Sequence, residues 1–218
     1  MSAGEVPKRQ ERPGKAAIMR AAVEVMGEDG YEGASIRDMA ARAGVSVAAL
    51  YYHFPSKLDL LRQFLEEAYD VTLARLDRRL RAADPAPPAQ LDEIVGTLIA
   101  SHLHDEWAQL ASNVAFREHT RLLPADRRVI DKKRRRLLRL VEDVIARGVA
   151  SGDFTVDEPR EAARAIIILT TSLVEPYREM RRSMHGVIAL YQGFARAIAC
   201  TPAADDPTAL ASAARSRS

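Results

Sequence analysis

The segment from Ser35 to Lys57 constrains the fold of this chain more than any other stretch of its sequence. It reads SIRDMAARAGVSVAALYYHFPSK, in which two helix starts flank a glycine. Ser35 with Asp38 is a capping pattern for a first helix, and Ser46 is a capping residue for a second. Gly44 stands between them, where a helix end favours a left-handed residue. Two helices this close in sequence are too compact to be independent, so the segment predicts a helix-turn-helix.

The second helix of a helix-turn-helix enters the DNA major groove with its N-terminal residues nearest the base edges. Here those residues are Val47, Ala48 and Ala49, which contact thymine methyl groups but form no bidentate hydrogen bonds with guanine or adenine. We therefore expect polar readout from Arg37, at the start of the first helix. Side chains that suit phosphate oxygens follow at the end of the second helix and the start of the next: Tyr51, Tyr52, His53 and Lys57.

These residues resemble the signature of the TetR/AcrR family of bacterial transcriptional regulators. The resemblance covers roughly residues 15 to 61 and rests on the run GVS from Gly44 and the run LYYHFPSK from Leu50. It implies that phosphates are bound by Tyr51, His53 and Lys57, and that the bases are faced by Arg37, Val47, Ala48, Ala49 and Tyr52. Many members carry polar residues at the positions of Val47 and Ala48, so the operator sequence stays open. With the capping residue Ser46, we call these nine positions the DNA face.

The distribution of charge is more informative than the net charge of +2, which alone does not indicate a nucleic-acid-binding protein. Residues 1 to 20 hold five basic and two acidic side chains. This basic arm is either an extension that binds DNA or a solvated terminus, and a disordered arm is able to be both.

The composition also bears on the compartment. Cys200 is the only cysteine, so an intrachain disulfide is excluded and a reducing compartment fits. No apolar run has the length of a membrane span, and the N-terminus lacks the hydrophobic core of a signal peptide. We expect a cytoplasmic bacterial protein that is associated with the nucleoid when bound to DNA, with no membrane partner and no cofactor.

Helical periodicity predicts an all-α fold. An N-terminal three-helix DNA-binding head, which contains the helix-turn-helix, is joined by a long helix to a C-terminal helical ligand-binding and dimerisation domain. The first helix opens at Pro13 or Gly14, and the glycines from Gly27 to Gly33 predict a loop plugged by Tyr31. The predicted divisions are a disordered basic arm at 1–12, the DNA-binding domain at 13–56, the ligand-binding and dimerisation domain at 57–200 and a disordered tail at 201–218.

The long helix is predicted to run from Ser56 to about Ala83, which is about 40 Å at 1.5 Å per residue. Further helices are predicted at 90–104, 106–119, 125–151, 158–174, before an interruption at Pro176, and 187–200. The inward face of the 125–151 helix is predicted to consist of Ile130, Leu137, Val141, Val144, Ile145 and Gly148. The last two helices are apolar on more sides than one chain can cover, so we expect them to pair with a second copy in a four-helix interface. The residues predicted for that interface are Ile167, Ile188, Tyr191, Ala195 and Ile198.

A ligand cavity is implied by the resemblance in the middle helices, where its lining would include Trp107, Asn113, Phe116 and Glu118, closed by Tyr177. Apolar residues at helical spacing are equally compatible with an ordinary core. In the basic run 132–136, four side chains are expected on the solvated face. Arg134 stands four residues after Ile130 and three before Leu137, on the inward line. We expect that Arg134 or a neighbour binds an anionic group of a ligand, such as the phosphates of an acyl-coenzyme A.

Catalytic and metal-binding interpretations fit less well. Ser46 follows a helix, whereas the serine of a hydrolase elbow follows a strand. His102 and His104 are two residues apart, which places them on different sides of a helix. Adding His119 and Glu118 gives only weak support for a metal site. The favoured interpretation is a homodimeric repressor that leaves a palindromic operator when it binds a small apolar or acyl-thioester effector. The alternatives are a constitutive dimeric DNA-binding protein without an effector and a helical-bundle enzyme.

Overall fold

The computed structural model describes residues 14–103, 106–172 and 183–200, and within them every regular element is a helix. This confirms the all-α prediction. The elements in chain order are α1 (Lys15–Gly33), α2 (Ile36–Arg42), α3 (Val47–His53), α4 (Lys57–Ala82), α5 (Pro87–Leu103), α6 (Glu106–Glu118), a 3₁₀ turn (His119–Arg121), α7 (Pro124–Ser151), α8 (Pro159–Thr171) and α9 (Met184–Ala199). No helix of these ranges has the length and apolar character needed to cross a membrane.

The chain divides into two compact units. The first, which we call the head unit, comprises Met1–Glu67 and Leu110–Arg127; the second, the body unit, comprises Ala68–Gln109 and Arg128–Ser218. This division differs from the predicted boundary after residue 56, because the start of α4 and most of α6 pack with the head. The predicted arm at 1–12 and the predicted tail at 201–218 lie outside the described residues.

The first helix of the head unit is longer than predicted. Its buried face includes Ile18, Ala22 and Val25, which confirms the predicted amphipathic face. The helix continues past Gly27 but is interrupted by a kink at Gly30, where φ is +72° and ψ is 169°, and only a short helical turn follows to Gly33. The predicted loop was therefore wrong in extent, because two of its three glycines keep helical geometry.

The helix-turn-helix forms as predicted, and its ends are capped by the expected residues. The Oγ atom of Ser35 accepts a hydrogen bond from the backbone N–H of Asp38 at 3.1 Å, and that of Ser46 accepts one from Ala49 at 3.1 Å. Gly44 adopts φ +66° in the turn, the left-handed conformation that a side chain disfavours.

The long helix α4 runs without a break from Lys57 to Ala82. Its N-terminus is capped by Ser56, whose Oγ accepts a hydrogen bond from the N–H of Asp59 at 3.0 Å. The helix supplies its first eleven residues, to Glu67, to the head unit and the rest to the body unit. A single covalent element is therefore shared by both units.

The core of the body unit is built mainly from α5, α7, α8 and α9. The buried residues of α7 are the six that the sequence predicted: Ile130, Leu137, Val141, Val144, Ile145 and Gly148. The last helix begins at Met184, three residues earlier than predicted, because Ser183 caps it by accepting a hydrogen bond from Gly186 at 3.2 Å. Pro176, the predicted interruption before it, lies outside the described residues.

The outer faces of α8 and α9 differ from the predicted partner-binding stripe. Ala195 is fully buried and Tyr191 is 8% exposed within the unit's own core, so these two side chains are not available to a second copy. Ile167, Ile188 and Ile198 are half-buried. The large apolar side chains that this single chain leaves open on these helices are Ile168, at 57% exposure, and Phe194, at 45%. Apolar periodicity does not distinguish a face buried by the chain itself from one buried by a partner, which accounts for the difference.

Candidate DNA interface and effector site

The short helix α3 divides its residues between the core and solvent. Leu50 and Phe54, four residues apart, are fully buried. Tyr52 is 85% exposed and Tyr51 is 47% exposed, so two large aromatic side chains stand in water. The core of the head fixes the orientation of α3, and that orientation projects its other side outward.

The remaining residues of the DNA face are exposed or half-buried, and all but Lys57 lie in α2, in α3 or at the cap of α3. Arg37, Ser46, Val47 and Ala48 are exposed, and Ala49 and His53 are half-buried. The rings of Tyr52 and His53 meet edge to face, with centroids 5.2 Å apart. The structure thus brings the predicted α2 and α3 residues into one unit as a polar and aromatic surface.

Lys57 is the exception, because its ammonium group is engaged inside the head unit. The Nζ atom lies 4.3 Å from the centroid of the Tyr31 ring and donates to the backbone oxygen of Glu32 at 3.5 Å. Burial lowers the pKa of Lys57, and the neighbouring carboxylate of Glu32 partly opposes that change. Sequence reasoning treated Tyr31 only as an apolar plug, and no local pattern pointed to this contact.

Arg121, in the 3₁₀ turn, lies against the same tyrosine, and sequence reasoning missed it entirely. Its Cζ atom is 5.2 Å from the Tyr31 centroid. Its guanidinium forms ion pairs with Glu32 and Glu118. Glu118, predicted to line a ligand cavity, is instead buried and paired with this arginine.

Of the other predicted ligand residues, the structure describes the side chains of two. Trp107 and Asn113 are half-buried, in the body and head units respectively. Tyr177 and the side chain of Phe116 lie outside what the structure describes. The positions of the described residues therefore do not test the predicted cavity.

Arg134 is more exposed than its position on the inward line predicted, and its role in ligand binding stays a prediction. Its side chain is 49% exposed and lies 4.0 Å from Asp131, one turn earlier on α7. In the same run Lys133 is the more buried residue, with 20% exposure, and it pairs with Asp70 of α4. A long flexible arginine follows its nearest carboxylate, so position on the inward line did not decide where it lies.

An open groove of about 400 Å³ lies on the body unit, where α7 meets the end of α4 and the start of α5. Three arginines and one aspartate stand over apolar side chains in its lining: Leu80, Gln90, Arg136, Arg139, Leu140, Asp143, Val144 and Arg147. Arg136 also donates to Asp77 at 2.6 Å, and Arg147 donates to Gln90. This groove combines an apolar floor with excess positive charge, and Arg136 is a neighbour of the predicted Arg134.

The metal-binding interpretation gains no support from the residues that the structure describes. Among them, no group of three His, Cys, Asp or Glu side chains is placed to hold a metal ion. His104 lies outside them. Burial lowers the pKa of His102 to about 4, which keeps its imidazole neutral at physiological pH.

A capped helix-turn-helix with an exposed aromatic reading helix, followed by a separate helical unit, defines a class of DNA-binding regulator. The model of the bacterial regulatory proteins of the tetR family matches residues 18–64, and that of the tetracyclin repressor-like C-terminal domain matches residues 84–182. The chain belongs to the TetR family. It is accordingly a ligand-responsive, DNA-binding transcriptional repressor that acts as a homodimer, and it is not an enzyme.

Particular relatives cover most of the chain. A fatty acid metabolism regulator protein of Bacillus subtilis is 23% identical over 186 residues, which are 84% of this chain and 92% of the relative. The crystal structure of a tetR-family regulatory protein from Rhodococcus RHA1 is 26% identical, with a TM-score of 0.78 over 86% of this chain and 97% of that one. The structure of AibR with isovaleryl coenzyme A and operator DNA is 19% identical, with a TM-score of 0.74 over 83% of this chain and 96% of that one.

Proposed function

We propose that the DNA face reads the operator of this repressor and that an acyl thioester is the effector that releases it. The observation that carries the first part is the exposure of Tyr52 on a short helix that is anchored by the buried Leu50 and by the buried Phe54 directly after it. Two large exposed aromatic residues at the end of α3 cost solvation free energy in the free protein, and contact with DNA offsets that cost. The same geometry leaves the N-terminal residues of α3 open to base edges.

The roles within the DNA face follow from chemistry and position. Val47, Ala48 and Ala49 supply apolar contacts for thymine methyl groups, and Tyr52 stands beside them with the greatest exposure. Arg37, exposed in the first turn of α2, is the polar reader of bases. Tyr51, His53 and Lys57 bind phosphates, and Ser46 holds the helix start by its cap.

Changing Arg37 or Lys57 to alanine is expected to affect DNA binding in different ways. Lys57→Ala weakens binding to operator and mixed-sequence DNA alike and lowers the salt slope by about one, because one phosphate contact is lost. Arg37→Ala reduces the preference for the operator with a smaller loss on mixed-sequence DNA. Both are measured by fluorescence anisotropy on the operator found by footprinting the DNA beside the gene. Equal losses on the two DNAs for Arg37→Ala would reassign Arg37 to a phosphate.

The effector class is supported by the relatives and by the groove of the body unit. One relative is named for fatty acid metabolism and another is bound to isovaleryl coenzyme A. The groove offers three arginines for phosphate groups above apolar Leu80, Leu140 and Val144. We place the anionic end of the acyl thioester there, with Arg139 as a contact in place of the predicted Arg134.

A titration with acyl-coenzyme A of different chain lengths tests this assignment. Operator-bound protein is expected to be released by acyl-coenzyme A, and free coenzyme A is expected to act only at much higher concentration. Arg139→Ala raises the concentration needed by about tenfold, which corresponds to one charged hydrogen bond. Arg134→Ala, on the opposite side of α7, is the matched control and leaves the titration unchanged. If Arg134→Ala raised the concentration needed and Arg139→Ala did not, Arg134 would be the ligand residue. If no acyl thioester released the protein from DNA, the proposed effector class would be wrong.

The homodimer is proposed to form through the exposed apolar side chains of α8 and α9, with Ile168 and Phe194 at its centre. Ile167, Ile188 and Ile198, which are half-buried in one chain, would be covered further by a second copy. The site of action is proposed to be the cytoplasm, where the dimer associates with the nucleoid through its operator.

A further inference from the structure

The ring of Tyr31 in the head unit is within reach of two cations from distant parts of the chain. Its ring centroid is 4.3 Å from the Nζ of Lys57, the first residue of α4, and 5.2 Å from the Cζ of Arg121. Two carboxylates complete the group, which we call the Tyr31 cluster: Tyr31, Glu32, Lys57, Glu118 and Arg121. All five residues belong to the head unit.

Arg121 is the ion-pair partner of both carboxylates of the Tyr31 cluster. It pairs with Glu118, whose side chain is 10% exposed, and with Glu32, whose side chain is 76% exposed. Lys57 contacts the ring of Tyr31 and the backbone oxygen of Glu32, and both of these groups are uncharged. The arrangement therefore leaves the positive charge of Lys57 available to another anion, although two carboxylates lie close by.

We propose that Arg121 is a positioning residue for DNA binding, because it engages the Glu32 and Glu118 carboxylates in ion pairs and so competes with the ammonium of Lys57 for them. This inference rests on the proposed function, since it requires Lys57 to bind a phosphate. Without Arg121, the flexible and exposed Glu32 side chain pairs with the adjacent Lys57, whose pKa it already raises by its charge. The cluster changes from neutral to a net charge of −1, which repels phosphate and withdraws Lys57 from it.

The salt dependence of DNA binding separates positioning from a general loss of charge or stability. Wild type, Lys57→Ala, Arg121→Ala and the double variant are titrated with a fluorescein-labelled duplex of mixed sequence at several salt concentrations. Lys57→Ala and Arg121→Ala are each expected to lower the salt slope by about one, and the double variant to lower it no further. The expected loss of affinity in Arg121→Ala is about fivefold in the wild-type background and absent in the Lys57→Ala background.

Rescue and control variants complete the test. Replacing both carboxylates, by Glu32→Gln and Glu118→Gln, in the Arg121→Ala background is expected to restore the wild-type slope. Arg42→Ala is the matched control, since its side chain has the same 40% exposure in the head unit and pairs with Glu24 and Glu28. In the Arg42→Ala background, Lys57→Ala is still expected to lower the salt slope by about one. If Arg121→Ala does not fold, Arg121→Gln carries the same neutralisation test with a longer side chain.

The outcomes distinguish the two proposals. A wild-type slope in Arg121→Ala, while Lys57→Ala lowers it, overturns the positioning role and leaves Lys57 on the phosphate. A further loss of slope in the double variant makes Arg121 an independent phosphate contact and also overturns positioning. An unchanged slope in Lys57→Ala removes Lys57 from the DNA face and overturns the positioning role, while operator reading by the other residues of the DNA face is tested separately by Arg37→Ala.

Discussion

His102 shows how one buried titratable residue affects stability. It lies in α5 with its Nε2 atom buried, although part of the residue is exposed. Burial lowers the pKa of its imidazole to about 4, below the usual 6.5. The unfolded chain therefore binds more protons than the folded chain between pH 6.5 and pH 4, and the free energy of unfolding falls as the pH decreases through that range.

We expect the free energy of unfolding to drop by about 2 kcal/mol from pH 7 to pH 5 through His102 alone. His102→Leu fills a similar space and cannot be protonated, so it removes this contribution while other groups titrate as before. Urea unfolding of both proteins at the two pH values measures the difference. If the free energy of unfolding fell equally with pH in both proteins, the His102 imidazole would bind protons as readily in the folded chain as in the unfolded chain.

At the scale of elements, one close approach leaves no room for a side chain where the loop after α7 packs against that helix. Gly148 of α7 faces the ring of Phe154, which is buried, and the Phe154 N–H donates to the Gly148 oxygen at 3.0 Å. A methyl group at position 148 would overlap the ring carbons. Gly193 of α9 has no atom within 4 Å of the place a Cβ would occupy. These two helical glycines therefore differ in environment and not in backbone geometry.

Gly148→Ala is expected to lower the free energy of unfolding by about 1 to 3 kcal/mol, because overpacking outweighs the gain in helix propensity. Gly193→Ala is the control and is expected to raise it by about 0.5 to 1 kcal/mol. Urea titrations at one protein concentration give both values, since a dimer's stability depends on concentration. Stabilisation by both substitutions would mean that Phe154 moves aside without cost.

For the molecule as a whole, function depends on two copies acting together. The family is dimeric, and the heads of a dimer read half-sites about one helical turn, roughly 34 Å, apart on a palindromic operator. Because Tyr191 and Ala195 are buried inside one chain, we expect a second copy to cover Ile168 and Phe194 instead. Large exposed apolar side chains of this kind are typical of obligate interfaces.

Ile168→Arg is expected to yield monomers, because an arginine at the centre of the interface would be buried without a partner. Leu123→Arg is the matched control, since Leu123 has the same 57% exposure but lies in the head unit. Sedimentation velocity at micromolar concentration measures the mass of each variant. A dimer that persists in Ile168→Arg, with a folded circular dichroism spectrum, would place the interface on another surface.

The sequence by itself determined the features that depend on residues a few positions apart. Capping by Ser35 and Ser46, the left-handed turn at Gly44 and the six buried positions of α7 follow from hydrogen bonds and periodicity within single elements. Only the tertiary structure decided which partner each long side chain reaches. Arg121 pairs with Glu32 across 89 residues of sequence, and Arg134 lies beside Asp131 with a half-exposed side chain while Lys133 pairs with Asp70 of α4. Such choices depend on distances between elements that approach only after packing, and no local pattern in the sequence records those distances.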